Sequence, residues 1–203
     1  QLHINPPAFI QVGNGEDARK IAVRMHAGAE IGLMWLGGYR SDMLGTKAQA
    51  LEAFAIREGY SCCRFDYSGH GESGGEFVDG TISRWLEESL AVFEHFTRGP
   101  QILIGSSMGA GVALRLAPEL QARDMSARLA GMLLLAPAPD FTHELIKPEL
   151  NDAQKAQLRE RGYMEVASQY SDEPDIFTQA LFDDGEHNRV MTGLIETRCA
   201  VNI

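Results

Sequence analysis

The sequence predicts an α/β domain with a mostly parallel sheet, and three observations carry that expectation. Short apolar runs of strand length alternate with stretches whose apolar residues recur at helical spacing. The run Gly131 to Ala136 is apolar throughout, which suits a strand covered on both faces of a parallel sheet. The 203 residues, 44% hydrophobic and 23% charged, suffice for one globular domain with a sizeable core.

Along the chain, Arg19 to Met25 reads as an early antiparallel strand, and Ile31 to Leu36 as an apolar strand stopped by Gly37-Gly38. Leu44, Ala48, Leu51 and Ala55 fall at helical spacing, with Gly59 as the C-terminal cap. Tyr60 to Phe65 is the next strand. A glycine-rich loop runs from there to about Gly80, and Ile82, Trp85, Leu86, Leu90 and Phe93 mark an amphipathic helix. Gln101 to Ile104 is a third strand, followed by a helix to about Gln121, and Gly131 to Ala136 is the fourth. Cys62 and Cys63 are adjacent on a strand, so their side chains point to opposite faces and do not bond to each other; buried free thiols are expected.

Pro137 to Arg198 breaks this rhythm by placing about sixty residues where a crossover needs about a dozen. Asn151 with Gln154 forms a capping-box pattern before a helix carrying Ala156 and Leu158. Pro174 is placed to begin another that carries Ile176, Phe177, Ala180 and Leu181 before Gly185. Residues 141–198 are therefore expected to form a helical lid over the sheet edge, the competing reading being a solvent-facing helical excursion.

The chemistry centres on Gly105-Ser106-Ser107-Met108-Gly109, a Gly-x-Ser-x-Gly pentapeptide between a strand and a helix. Taken alone it also fits an ordinary glycine-rich βα connection. In its strand-to-helix context it makes Ser107 a candidate nucleophile, because a serine on such a turn has its hydroxyl lifted clear of the sheet. The following helix sets N-terminal N–H groups near a developing oxyanion. In an open parallel sheet the loops after the strands converge on one edge. Gly37-Gly38-Tyr39, Asp66 to Ser73, the Ser107 turn and Pro137 to Asp140 all land there.

These loops, in this order, resemble the α/β-hydrolase superfamily. Phe65-Asp66-Tyr67-Ser68-Gly69-His70-Gly71-Glu72-Ser73-Gly74-Gly75, the Ser107 pentapeptide and Leu135-Ala136-Pro137-Ala138-Pro139-Asp140-Phe141 are similar to bacterial relatives of the mitochondrial palmitoyl-protein thioesterases. The resemblance implies a three-layer fold with helices on both faces of the sheet, residues 1–203 forming a single domain. It also implies Ser107 as nucleophile, an oxyanion hole made by the backbone N–H groups of Tyr39 and Met108, and a carboxylic ester or thioester as substrate. An acylated protein is one form such a substrate takes. Asp66 and His70 look like an acid and base pair, but the resemblance and the glycine spacing favour a structural turn in which the Asp66 carboxylate binds backbone amides. His143 and His187 read as surface or lid residues, and His26 and His95 have no motif around them. Asp140 occupies a position that some α/β-hydrolases use for the acid, whereas the nearer relatives place the acid, and then the histidine base, after later strands.

The chain opens on Gln1 and closes on Cys199-Ala200-Val201-Asn202-Ile203, which reads as the start of a strand, so a segment of a longer polypeptide is expected. A chain ending there would be a non-catalytic hydrolase-like binding protein, and other chemistries on the same fold remain open. The net charge of −10 argues against nucleic acid or an anionic membrane as partner. No run approaches the roughly 18 residues of a membrane span. No Cys/His spacing fits zinc and no Gly-Lys-Ser/Thr loop occurs, so neither metal nor cofactor is expected. The expected setting is cytoplasmic, or the mitochondrial matrix in a eukaryote, with the oligomeric state left open.

Overall fold

The computed structural model describes residues 6–168 and 174–203; Gln1 and residues 169–173 of the expected insertion lie outside them. A seven-stranded sheet has the order β1-β2-β4-β3-β5-β6-β9. Its strands are β1 (Ala8–Val12), β2 (Arg19–His26), β3 (Ala29–Leu36), β4 (Tyr60–Phe65), β5 (Gln101–Ser106), β6 (Leu129–Leu135) and β9 (Ala200–Asn202). β1 and β2, and β2 and β4, pair antiparallel, while β3, β4, β5, β6 and β9 pair parallel. The early antiparallel strand expected at Arg19 is present, and β1, which the sequence reading did not mark, extends it.

Helix α1 (Thr46–Glu58) covers one face, and α2 (Ile82–Phe96) with α3 (Met108–Ala122) covers the other. Strands β3, β4 and β5 feed both cores by alternation. Cys63 joins Met34, Leu103, Trp85 and Phe93 on the α2/α3 side, and Cys62 joins Leu33, Trp35, Ala48 and Ala55 on the α1 side. Both thiols are free, and burial raises their pKa values, Cys62 to about 12. Gly59 ends α1 at φ +80, as its cap position requires. Leu44 lies in the turn before α1 rather than on it, because the helix starts at Thr46. The fourth strand is covered unevenly. Met132 and Leu134 are buried under α3, but Leu133 is 37% exposed because α1 lies over β3 and β4.

After β6 the chain runs through a π-helical turn (Thr142–Ile146) into α4 (Asp152–Arg161), whose Asn151–Gln154 capping box forms as expected. The second expected helix is corrected. Ile176 and Phe177 lie on β8 (Asp175–Thr178), paired antiparallel with β7 (Tyr163–Val166), and α5 (Gln179–His187) begins only where the Thr178 side chain accepts the Leu181 N–H. The β-branched and aromatic pair Ile176-Phe177 favours the extended state. Gly185 sits inside α5, against Thr142, instead of ending it. The insertion is thus a helix, a hairpin and a helix around a small core of Leu158, Met164 and Phe182.

Candidate active site

The strand order reverses at β3, which has β4 on one side and β5 on the other. Crossovers leave the sheet in opposite directions there, so the loops after β3 and β5 part and leave a crevice. Ser107 stands in that crevice between β5 and α3, exposed to solvent, at φ +55 and ψ −118. Such a conformation is strained for a residue with a side chain, and the surrounding backbone holds it. The Ser107 N–H donates to Leu135 O at 3.0 Å, and its carbonyl accepts the amides of Ala110 and Ala138 at 3.0 and 3.1 Å. The two glycines of the pentapeptide have separate jobs. A Cβ at Gly105 would overlap the backbone of Gly109 and Ala110 in α3, and one at Gly109 would overlap the carbonyl oxygens of Leu36 and Gly37. Small residues here let α3 press against both β5 and the end of β3.

As the first residue of α3, Met108 has an amide with no intrahelical acceptor. Tyr39 lies in the loop after β3, in a turn closed by the Ser41 N–H donating to Gly38 O at 3.1 Å. A Cβ built on Gly38 would stand 3.5 Å from the Ser107 Cβ, so this turn and the serine are in contact. The structure thus brings Tyr39, Ser107 and Met108 to one place. The Tyr39 ring is wedged among Phe77, Trp85, Phe141 and Phe177, stacked on Phe177 at 5.4 Å, and its hydroxyl donates to Ile176 O of β8 at 3.0 Å. Arg40 pairs with Asp175 beside it. These links from the turn to the hairpin were not read from the sequence, since nothing local to residue 39 reports what lies 137 positions away.

Asp66 is committed to structure, as the glycine spacing implied. Its Oδ1 accepts the Met43 N–H at 2.6 Å and its Oδ2 the Glu72 N–H at 2.8 Å. Burial pushes its pKa up to about 6 against the pull of those amides. Asp140 is also occupied, with its two oxygens accepting the Val190 and Met191 amides, each at 2.8 Å, so it pins the far end of the insertion to its start. His143 bonds Glu186 at 2.6 Å and His187 bonds Asp183 O at 2.8 Å, both within the insertion. Buried Glu88 accepts from Arg19 at 2.7 Å and from the Ser68 amide at 2.8 Å, which ties α2 to the loop after β4. Among the described residues the Ser107 hydroxyl has no hydrogen-bond partner, and no cluster of metal-ligating side chains occurs. No described helix is long and apolar enough to cross a membrane.

This arrangement has counterparts. Residues 41–189 match the hydrolase family described as serine aminopeptidase, S33. The chain belongs to that family. The mitochondrial palmitoyl-protein thioesterase ABHD10 of Pongo abelii is 31% identical over 194 residues, and that of Homo sapiens 30% over 191; each match takes in 94% of this chain and 60% of the relative. The chain therefore spans about three fifths of the length of these curated relatives. A candidate hydrolase from Agrobacterium vitis S4, solved at 1.80 Å, superposes with a TM-score of 0.93 at 56% identity, over 96% of this chain and 76% of that one. Mouse α/β-hydrolase domain-containing protein 10 superposes with a TM-score of 0.80 at 26% identity, over 96% and 75%. The fold is the three-layer α/β-hydrolase fold.

Proposed function

We propose that this hydrolase-family chain cleaves carboxylic esters or thioesters through an acyl-enzyme on Ser107, with the amides of Tyr39 and Met108 as the oxyanion hole. The observation that supports the reading is the strained, exposed Ser107, which directly precedes the first amide of α3 and touches the Gly38 turn that carries Tyr39. Attack by its hydroxyl oxygen on an acyl carbonyl forms the C–O bond and moves charge to the carbonyl oxygen. Two preorganised amides stabilise that charge, each worth roughly 3 to 4 kcal/mol in the transition state. The Ser107 proton passes to the general base on attack; collapse then breaks the bond to the leaving alkoxide or thiolate, which takes that proton from the base, and water releases the acid by the same route. The serine needs a base and the base an orienting acid; we assign neither role to Asp66, His70 or Asp140, whose polar atoms are already engaged.

The names of the relatives support a fatty acyl thioester on a protein as the substrate class and, for a eukaryotic source, a mitochondrial setting. Residues 141–198 would then act as a lid, and the rings of Phe141 and Phe177 packed on Tyr39 are apolar enough to take an acyl chain. The test is labelling of the full-length protein and of Ser107→Ala by a fluorophosphonate, with turnover of acyl thioesters, acyl esters and aminoacyl anilides measured beside it. Labelling and thioester turnover that vanish in Ser107→Ala, by roughly four orders of magnitude or more, are expected. A wild type that neither labels nor turns over any of the three overturns the reading and leaves a ligand-binding protein on a hydrolase fold.

A further inference from the structure

We infer that the cleft between the loop after β3 and the loop after β4 receives the leaving group of the proposed reaction, and that it favours a cysteine peptide with a lysine or arginine beside the acylated residue. The inference rests on the reading of Ser107 given above and deepens it. The cleft holds about 320 Å³ and is lined by Arg40, Ser41 and Asp42 after β3, by Gly69 to Gly71, Glu76 and Phe77 after β4, and by Ile176 of β8. That volume is in the range of small-ligand sites, roughly 300 to 1,000 Å³. One glycine fixes its place beside the nucleophile. A Cβ built on Gly38 would stand 3.5 Å from the Ser107 Cβ and 3.5 Å from the Ser41 Oγ, so those two atoms are at most twice that distance apart. A substituent a few bonds long on a carbonyl held at Ser107 spans the gap.

The cleft and the ring cluster around Tyr39 are separated by β8. Neighbouring residues on a strand point to opposite faces, and Phe177 stacks on Tyr39 while Ile176 lines the cleft. A fatty acyl chain laid in the cleft would desolvate two carboxylates and a guanidinium, which is costly; on the ring side it meets apolar surface. The acyl chain is therefore assigned to the rings and the polar leaving group to the cleft. Charge then selects among leaving groups. Arg40 is already matched by Asp175. His70 adds no charge, because its Nδ1 donates to Ser68 O at 2.9 Å and its Nε2 accepts the Arg40 N–H at 3.2 Å, an arrangement that only the neutral ring supports. Asp42 and Glu76 are exposed, and among the described residues neither pairs with a cation, although one Asp42 oxygen accepts the Leu44 N–H at 2.8 Å. An ammonium or guanidinium on the leaving group complements these carboxylates, and a phosphate or carboxylate is repelled by them. On collapse of the tetrahedral intermediate the C–S bond breaks, the sulfur keeps the electron pair and takes the proton held by the general base, and the peptide thiol departs by the cleft while the acyl group stays on Ser107.

The test uses two peptides with the same acyl chain on cysteine, one with lysine and one with glutamate as the next residue, and a small neutral thioester of the same acid. Each is turned over by the full-length protein, by Ser107→Ala and by the double variant Asp42→Asn/Glu76→Gln, in which the asparagine oxygen can still accept the Leu44 N–H. An exposed ion pair is worth up to about fivefold, so the wild type is expected to prefer the lysine peptide in kcat/KM by about 5- to 20-fold at low salt. The preference should shrink as salt is raised and fall to within about twofold in the double variant. If unfolding midpoints show the double variant to be damaged, Glu76→Lys alone carries the test, with the ratio again expected to fall to within about twofold. A wild type that prefers neither peptide, or the glutamate one, overturns the inference. So does a folded variant that keeps the wild-type ratio, or one whose preference among acyl chain lengths on a fixed thiol shifts instead, which would put the acyl chain in the cleft. Ser107-dependent turnover of the small thioester with none of either peptide overturns this inference alone; no Ser107-dependent turnover of any of the three takes down the underlying reading.

Discussion

The turns at the sheet edge and the insertion between β6 and β9 are held by different means. At the edge, contacts are backbone to backbone or backbone to buried carboxylate: Gly105 and Gly109 against neighbouring main chain, Asp66 on two amides, Glu88 on the Ser68 amide. In the insertion, a three-residue core is surrounded by half-exposed ion pairs among His143, Glu144, Lys147, Glu186 and Arg189. Backbone constraints of the first kind tolerate one or two residue types. Exposed ion pairs tolerate many and contribute little each. The edge should therefore be brittle to substitution and the insertion forgiving.

The sharpest comparison is between two glycines. Gly109→Ala drives a methyl group into the Leu36 and Gly37 carbonyls, and we expect loss of about 3 kcal/mol or more, or no folded protein, in urea unfolding. Gly162→Ala in the insertion meets nothing within 4 Å and pays only for its φ of +75, about 1 kcal/mol. Equal midpoints for the two would break the contrast. Next in size is Phe182→Ala, which empties the insertion's core. A truncation of this kind costs about 3 to 5 kcal/mol where the packing is cooperative with the whole fold. Here hydrogen exchange should speed up in α4, β7, β8 and α5, with the amides of β3, β4 and β5 still protected; uniform acceleration would show one cooperative unit.

The smallest effects concern pH, and their signs differ between the regions. Asp66 has a folded pKa raised to about 6, so its contribution to stability is complete below its ordinary value near 4 and is lost as pH rises through about 6. Glu186 is depressed to about 2 by His143 and then Lys147, so its contribution is present above its ordinary value and lost as pH falls through about 2. Asp66→Asn should flatten the stability profile between about pH 4 and 6, and Glu186→Gln only below about pH 4.5, by a small amount because the pair is open to solvent.

The same division explains what the sequence disclosed. The strands β3 to β6, the turn at Ser107, the Asp66 turn and the α4 capping box leave local signatures, because each carries its pattern in residues within a few positions of one another, even where distant groups such as Met43 and Leu135 complete it. The hairpin β7–β8 does not: Ile176 and Phe177 sit in a stretch whose helical pattern begins only at Thr178, and pairing with Met164 decides their state. The place of Tyr39 in the loop after β3 was legible from the two glycines before it, and its proposed role as a backbone donor came from the family resemblance. Its side-chain hold on Ile176, and the grip of His70 on Arg40, join positions 137 and 30 residues apart and have no sequence signature.

The Asp140 carboxylate that takes both the Val190 and Met191 amides closes a loop of fifty residues at its neck. Closure entropy grows only as the logarithm of loop length, about 0.6 kcal/mol per doubling, so once the neck is tied a change in the length beyond it costs the sheet little. The insertion is in that sense free in its length. A segment grafted between Phe141 and Arg189 keeps its ends tied at this neck, but it must still supply the contacts that Phe177 and Leu181 make with the main core and the Ile176 carbonyl that receives the Tyr39 hydroxyl.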